Sequence, residues 1–264
     1  MGKAIVITSG KGGVGKTTST ANIGTALALQ GKKVCLVDMD IGLRNLDVIL
    51  GLENRIIYDI IDVVEGRAKL HQALIKDKRF NDQLFLLPAA QHADKNAINE
   101  IQMVDLVEEL KNDFEYILID CPAGIEQGFK NSIAAADDAI LITTPEISAI
   151  RDADRIIGLI EQTPIKAPQL VINRIRKGMM EAGDVMDVEE ITRHLSIKLL
   201  GIIYEDDEVV RASNRGNPVV LDPDHPSSQG YRNISRRILG DTVPLMTLKE
   251  EKVSFWKKIF GFGK

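Results

Sequence analysis

The sequence predicts an α/β protein built on a mainly parallel, twisted sheet with helices on both faces. Three observations predict it. Short apolar runs alternate with helix-like stretches along the chain, the runs are continuous rather than interleaved with polar residues, and a glycine-rich turn joins the first run to the first helix. The first run is Ala4-Ile5-Val6-Ile7 and the second is Val34-Cys35-Leu36-Val37. Leu84-Phe85-Leu86-Leu87, Tyr116-Ile117-Leu118-Ile119 and Ala139-Ile140-Leu141-Ile142 follow, then Leu170-Val171-Ile172 and Leu199-Leu200-Gly201-Ile202-Ile203. Continuous apolar runs of this length suit strands covered on both faces. Helical patterns cover Thr17–Gln30, Met103–Lys111, Ile147–Glu161 and Val188–Leu195. Strands alternating with helices imply right-handed crossovers. The charged segment 177–183, with two glycines, reads as an exposed loop.

Composition narrows the class. The chain has 264 residues, 44% hydrophobic and 27% charged, which is long and apolar enough for one large core. Cys35 and Cys121 each lie in or beside an apolar run, and free thiols there suit a reducing cytosol better than a disulfide framework. No stretch approaches the roughly 20 apolar residues of a spanning helix. The first strand starts almost at Met1, so no signal peptide is expected. Val6 stands where a myristoylation signal beginning Met1-Gly2 needs Ser or Thr. A formal net charge of −5 speaks against a sequence-independent DNA binder, which needs a basic face, and no sequence-specific nucleic-acid partner is expected.

The turn after the first run reads Gly10-Lys11-Gly12-Gly13-Val14-Gly15-Lys16-Thr17-Thr18. Gly10 to Thr17 meets the pattern G-x-x-x-x-G-K-[ST], which defines a P-loop NTPase when it stands between a strand and a helix. Glycines let the backbone curl round a triphosphate and aim its N–H groups inward. Residues Gly10 through Thr18 are therefore the candidate nucleotide-binding set, with Lys16 neutralising the β- and γ-phosphates and the Thr17 hydroxyl ligating Mg²⁺. Ligands in such sheets bind at the carboxyl ends of the strands. Asp120 closes a four-residue apolar run, the Walker B pattern, where a carboxylate supports the Mg²⁺ shell. Asp38 and Asp40 follow the second run, and alternate residues of an extended segment point the same way. Asn173 ends the sixth run with an amide able to donate to and accept from a base. Gly124, after Asp120-Cys121-Pro122-Ala123, can flex and offer its N–H to a γ-phosphate.

The early lysine, Lys11, makes the loop resemble the deviant P-loop of the MinD/ParA group of ATPases. The resemblance implies that ATP with Mg²⁺ is bound and hydrolysed, that Lys11 reaches the partner's nucleotide in an ATP-dependent homodimer, and that Lys11, Lys16 and Asp40 are catalytic. It implies that Asp40 positions the attacking water, that Asp38 joins Thr17 and Asp120 in supporting the metal, and that Asn173 reads adenine; the roles of Asp38 and Asp40 remain exchangeable. Two positions depart from the group. Cys121 replaces the usual Ser or Thr, and Tyr204 in Tyr204-Glu205-Asp206 replaces a proline near the base. An iron–sulfur cluster, known from one branch, would need two aligned cysteines per subunit, and Cys35 lies within a strand. Residues 41–47, 73–77, 151–155 and 211–216 resemble the division-site branch. That branch implies recruitment of the division inhibitor MinC, with a topological or ATPase-activating factor as a further partner, and places partner contacts near Asp152 and Asp154. Two other readings fit the same loop: a ParA-like DNA-segregation ATPase, and a nucleotide-gated scaffold that does not hydrolyse.

The composition shifts only at the end. On a helix, Val253, Phe255, Trp256, Ile259, Phe260 and Phe262 fall on one side and Ser254, Lys257, Lys258 and Gly261 on the other. From Thr247 onward the chain has five lysines and two glutamates, net +3, leaving −8 on the rest. Aromatic bulk opposite lysine marks a helix lying in an anionic membrane interface. The expected division is 1–246 as the ATPase domain and 247–264 as a membrane-targeting tail. The expected location is the cytoplasm, with peripheral binding to the inner face of the cell membrane in the ATP form.

Overall fold

A computed structural model describes residues 1–94, 96–165 and 167–246. The membrane-tail expectation falls on residues 247–264 and so lies outside the described residues. The strands are β1 (Lys3–Thr8), β2 (Val34–Asp38), β3 (Ile75–Lys76), β4 (Leu84–Leu87), β5 (Tyr116–Asp120), β6 (Asp138–Thr143), β7 (Gln169–Ile175) and β8 (Lys198–Tyr204). They form one sheet in the order β3-β4-β2-β5-β1-β6-β7-β8. Every pairing is parallel except β3 with β4. The seven expected strands are all present. β3 is the addition, too short to show as an apolar run and confined to the sheet edge.

The continuous apolar runs have their expected cause. Along β1, Ile5 and Ile7 face one core while Ala4 and Val6 face the other. The first core is closed by the helices Lys16–Leu29 and Pro226–Ile238, and the second by Glu100–Leu110, Ile147–Ile160 and Val188–Leu195. The four helices expected from sequence form within three residues of their expected ends. Helix Lys16–Leu29 lies between the sheet and helix Pro226–Ile238, so its polar residues Ser19, Thr20, Asn22 and Thr25 are buried along with its apolar ones. Helix Glu100–Leu110 starts earlier than its apolar pattern because Asn99 and Gln102 form a reciprocal capping box. The expected loop at 177–183 is instead a short helix, Lys177–Glu181. None of its residues is buried, so it has no apolar stripe for a sequence pattern to reveal. Among the described residues no helix is long and apolar enough to cross a membrane.

Candidate functional site

β1 lies between β5 and β6, so the chain leaves the sheet in diverging directions at the end of β1. The glycine-rich loop occupies that point. Gly13 and Gly15 have φ of 79° and 98°, the left-handed region that favours glycine. Gly15 is the N-cap of helix Lys16–Leu29, so the loop feeds the positive end of that helix. Gly10 must also be glycine for a steric reason, since a Cβ there would stand 2.2 Å from the Asp152 carbonyl. At Gly13 and Gly124 the space is open, as a phosphate cradle requires, and a Cβ on Gly12 would meet only Ala123 Cβ at 3.9 Å.

The two lysines of the loop have opposite environments. Lys16 is 8% exposed, and its Nζ donates to Ser9 Oγ at 3.1 Å. Ser9 Oγ in turn donates to the Lys11 carbonyl at 2.8 Å, which ties the loop's start to its end. Lys11 is exposed, and its Nζ donates to Ser148 Oγ at 3.0 Å, on helix Ile147–Ile160.

The carboxylates meet at the ends of neighbouring strands. Asp38 and Asp120 are register partners across β2 and β5, and each is 1% exposed. Asp120 accepts from Thr20 Oγ1 at 3.2 Å, and the Thr17 hydroxyl stands close enough to lower its pKa. Asp38 accepts from the N–H of Asp40 at 2.9 Å and of Leu46 at 3.3 Å. Burial drives both carboxyls well above the usual carboxylate range. The Asp120 charge adds to the rise at Asp38, while Thr17, Lys16 and Thr20 oppose it at Asp120. Two buried carboxylates beside a hydroxyl at the floor of a phosphate cradle are the donor set a hard divalent cation takes, and such a cation reverses the penalty on their charge. The residues present therefore fit Mg²⁺. Sequence parity puts Asp38 and Asp40 on one face, but the structure separates their settings. Asp38 is enclosed, whereas Asp40 is partly exposed and lines a cleft of about 140 Å³ with Ile41, Leu43, Pro122 and Phe129.

On the other side of the loop, the Asn173 Nδ2 donates to the Val14 carbonyl at 2.8 Å. A register shift between β7 and β8 spans Ile172 to Ile175, and Arg174 has φ of 55°. This irregularity at the end of β7 falls where Asn173 meets the loop. Asn173 shares a cleft of about 230 Å³ with Gly15, Thr18, Tyr204, Asp206 and Tyr231. Tyr204 lines that cleft while its hydroxyl donates to the Met246 carbonyl at 3.2 Å. Ser9, Thr20 and Ser148 also hydrogen-bond within the site; Ser9 has a local signal, standing directly before Gly10, whereas Thr20 and Ser148 have none. Asp152 and Asp154 do lie on helix Ile147–Ile160, Asp154 exposed and Asp152 half-buried against Gly10. Cys35 and Cys121 are both buried, which raises both thiols, Cys121 to about 12, so neither is poised as a thiolate.

Comparison with known proteins agrees with this geometry. Residues 5–219 match the CobQ/CobB/MinD/ParA nucleotide binding domain. The chain is 64% identical over 263 residues to the septum site-determining protein MinD of Bacillus subtilis, covering 99% of this chain and 98% of that one. The structure is similar to the MinC:MinD cell division protein complex of Aquifex aeolicus, with a TM-score of 0.87 and 51% identity, over 93% of this chain and 98% of that one. It is also similar to the septum site-determining protein MinD complexed with Mg-ADP from Pyrococcus horikoshii, with a TM-score of 0.82 and 29% identity, over 90% of this chain and 96% of that one. The chain belongs to the CobQ/CobB/MinD/ParA nucleotide-binding family, and within it to the P-loop ATPases of the MinD type that act in septum-site determination.

Proposed function

We propose that this ATPase works as a membrane switch: ATP joins two copies through Lys11, the paired tails hold the dimer on the inner face of the cell membrane, and the dimer recruits the division inhibitor MinC. The observation that carries the dimer is the contrast between the lysines of one loop. Lys16 is buried and bonded within its own loop, whereas Lys11 is exposed and bonded to Ser148 on helix Ile147–Ile160. A lysine so placed can swing to a nucleotide on a second copy. The MinC:MinD complex of Aquifex aeolicus supports the choice of partner, and the Mg-ADP complex from Pyrococcus horikoshii supports the choice of ligand.

In this reading the backbone of Gly10–Gly15 and the positive end of helix Lys16–Leu29 bind the phosphates. Lys16 and Thr17 orient their charge. Thr17, Asp38 and Asp120 hold Mg²⁺, which supplies charge neutralisation at the β- and γ-phosphates when bound. Asp40, at the mouth, orients the attacking water, and Asn173 fixes the base against the loop. One tail of about a dozen residues binds membrane weakly, and joining two raises avidity by roughly 10²–10⁴-fold. Hydrolysis that parts the copies then releases them from the membrane. Residues 1–246 act as the ATPase domain and 247–264 as the anchor.

Sedimentation equilibrium in ATP and in ADP tests the dimer. The wild type should dimerise in ATP alone and Lys11→Ala in neither. A Lys11→Ala chain that dimerises and turns over ATP like the wild type removes the cross-dimer role.

A further inference from the structure

The two sides of the nucleotide site are joined at a distance by one arginine. Helix Leu46–Leu50 begins at the metal side, where the Leu46 N–H meets Asp38, and ends at Gly51. Helix Asp207–Asn214 begins at the base side, where its cap Asp206 lines the cleft, and is followed by Gly216. The far ends of these helices touch backbone to backbone. A Cβ on Gly51 would stand 2.8 Å from the Gly216 carbonyl oxygen, and one on Gly216 would stand 2.6 Å from the Gly51 Cα. Both glycines have positive φ, 66° and 67°.

Arg79 stitches this contact. Its Nη2 donates to the Leu50 carbonyl at 2.5 Å, and its Nη1 donates to the Gly216 carbonyl at 3.1 Å and to Asn217 Oδ1 at 2.7 Å. Asp77, 2% exposed, accepts from Nε and Nη2 and fixes the plane of the guanidinium. Every nitrogen of the side chain is thus committed, in a fork that a lysine cannot reproduce. A cation on the last carbonyl of a helix is also favoured by the helix dipole.

We propose that Arg79 is a positioning residue for the ATPase: by holding the end of helix Leu46–Leu50 against the Gly216–Asn217 turn, it fixes the Leu46 N–H on Asp38 and so sets the metal-supporting carboxylate. The inference rests on the reading of Asp38 as a Mg²⁺-supporting residue. Groups that orient a ligating side chain from outside carry about a tenfold or larger share of metal affinity.

The test uses the full chain and the binding of a fluorescent ADP analogue, titrated with Mg²⁺ and repeated in EDTA, with folding followed by circular dichroism. Arg79→Ala and Arg79→Lys should each raise the Mg²⁺ concentration for half-maximal binding by about tenfold, with nucleotide affinity in EDTA unchanged. In an Asp38→Asn background, neither should move that midpoint further. Should Arg79→Ala fail to fold, Asn217→Ala removes one of the Arg79 bonds, together with the long Asn217 Nδ2 bond to the Arg215 carbonyl, and should shift the midpoint in the same direction, by less. A folded Arg79 variant whose midpoint matches the wild type, while Asp38→Asn shifts it, overturns the proposal and leaves the Asp38 reading intact. So does equal weakening with and without Mg²⁺, the mark of a merely structural residue. An unchanged midpoint in Asp38→Asn itself overturns the Asp38 reading and this proposal with it.

Discussion

Neutralising Asp120 should make the metal-free protein more stable and the metal-bound protein less so. Asp120 and Asp38 are neighbours in register, each buried, and burial raises both carboxyls. An acid whose pKa is higher in the folded state than in the unfolded chain loses stability as pH rises from its unfolded pKa to its folded one. Without a metal, the wild type therefore carries a penalty at neutral pH that fades as pH falls towards about 4, the value of a free aspartate. Asp120→Asn removes one of the two charges. Its amide oxygen can still accept from Thr20. Each pK unit relieved is worth about 1.4 kcal/mol, and each kcal/mol moves the midpoint of a chain of this size by about 2–4 °C. A gain of about 3–6 °C at neutral pH without Mg²⁺ is expected for one such unit. Calorimetry with EDTA, then with Mg²⁺ and ADP, reads both halves of the effect. The gain should shrink on acidification, and Mg²⁺ with ADP should raise the melting temperature of the wild type much more than that of Asp120→Asn. An Asp120→Asn chain less stable than the wild type in EDTA, or one stabilised equally by Mg²⁺ and ADP, would show that the carboxylate pair is not held ready for a cation.

Asn173→Ala leaves the Val14 carbonyl without its partner and should cost about 1–3 kcal/mol, seen as a lower urea midpoint, and should also weaken ADP binding. Gly10→Ala places a Cβ against the Asp152 carbonyl and should push the loop off helix Ile147–Ile160, costing about 1–3 kcal/mol in overpacking and weakening nucleotide binding in a filter assay. Lys11→Ala should abolish ATP turnover yet leave the stability in the absence of nucleotide within about 0.5 kcal/mol of the wild type by urea titration, because Lys11 is exposed.

The sheet was legible because it is buried on both faces. Ala4-Ile5-Val6-Ile7 and its counterparts divide alternate residues between two cores, so neither parity is polar. The glycine-rich loop was legible because its conformation demands glycine at Gly13 and Gly15 and its neighbours demand it at Gly10. What escaped was of two kinds. β3 and helix Lys177–Glu181 are too short or too exposed to carry a period. The facing of Asp38 and Asp120, the bond from Thr20 to Asp120 and the reach of Arg79 to Leu50, Gly216 and Asn217 all join residues far apart in the chain. Strand order and helix packing create those contacts, and no local pattern encodes them. The different settings of Asp38 and Asp40 were hidden for the same reason: parity gives a shared direction, but not which carboxylate the backbone of the loop will claim.

Sedimentation with anionic liposomes, in ATP and in ADP, for the full chain and for a chain ending at Glu251, reads the coupling of nucleotide, dimer and tail directly. The full chain should bind in ATP alone, and truncation should abolish that binding. Equal binding in both nucleotides, or binding that survives truncation, would contradict the coupling of nucleotide, dimer and tail.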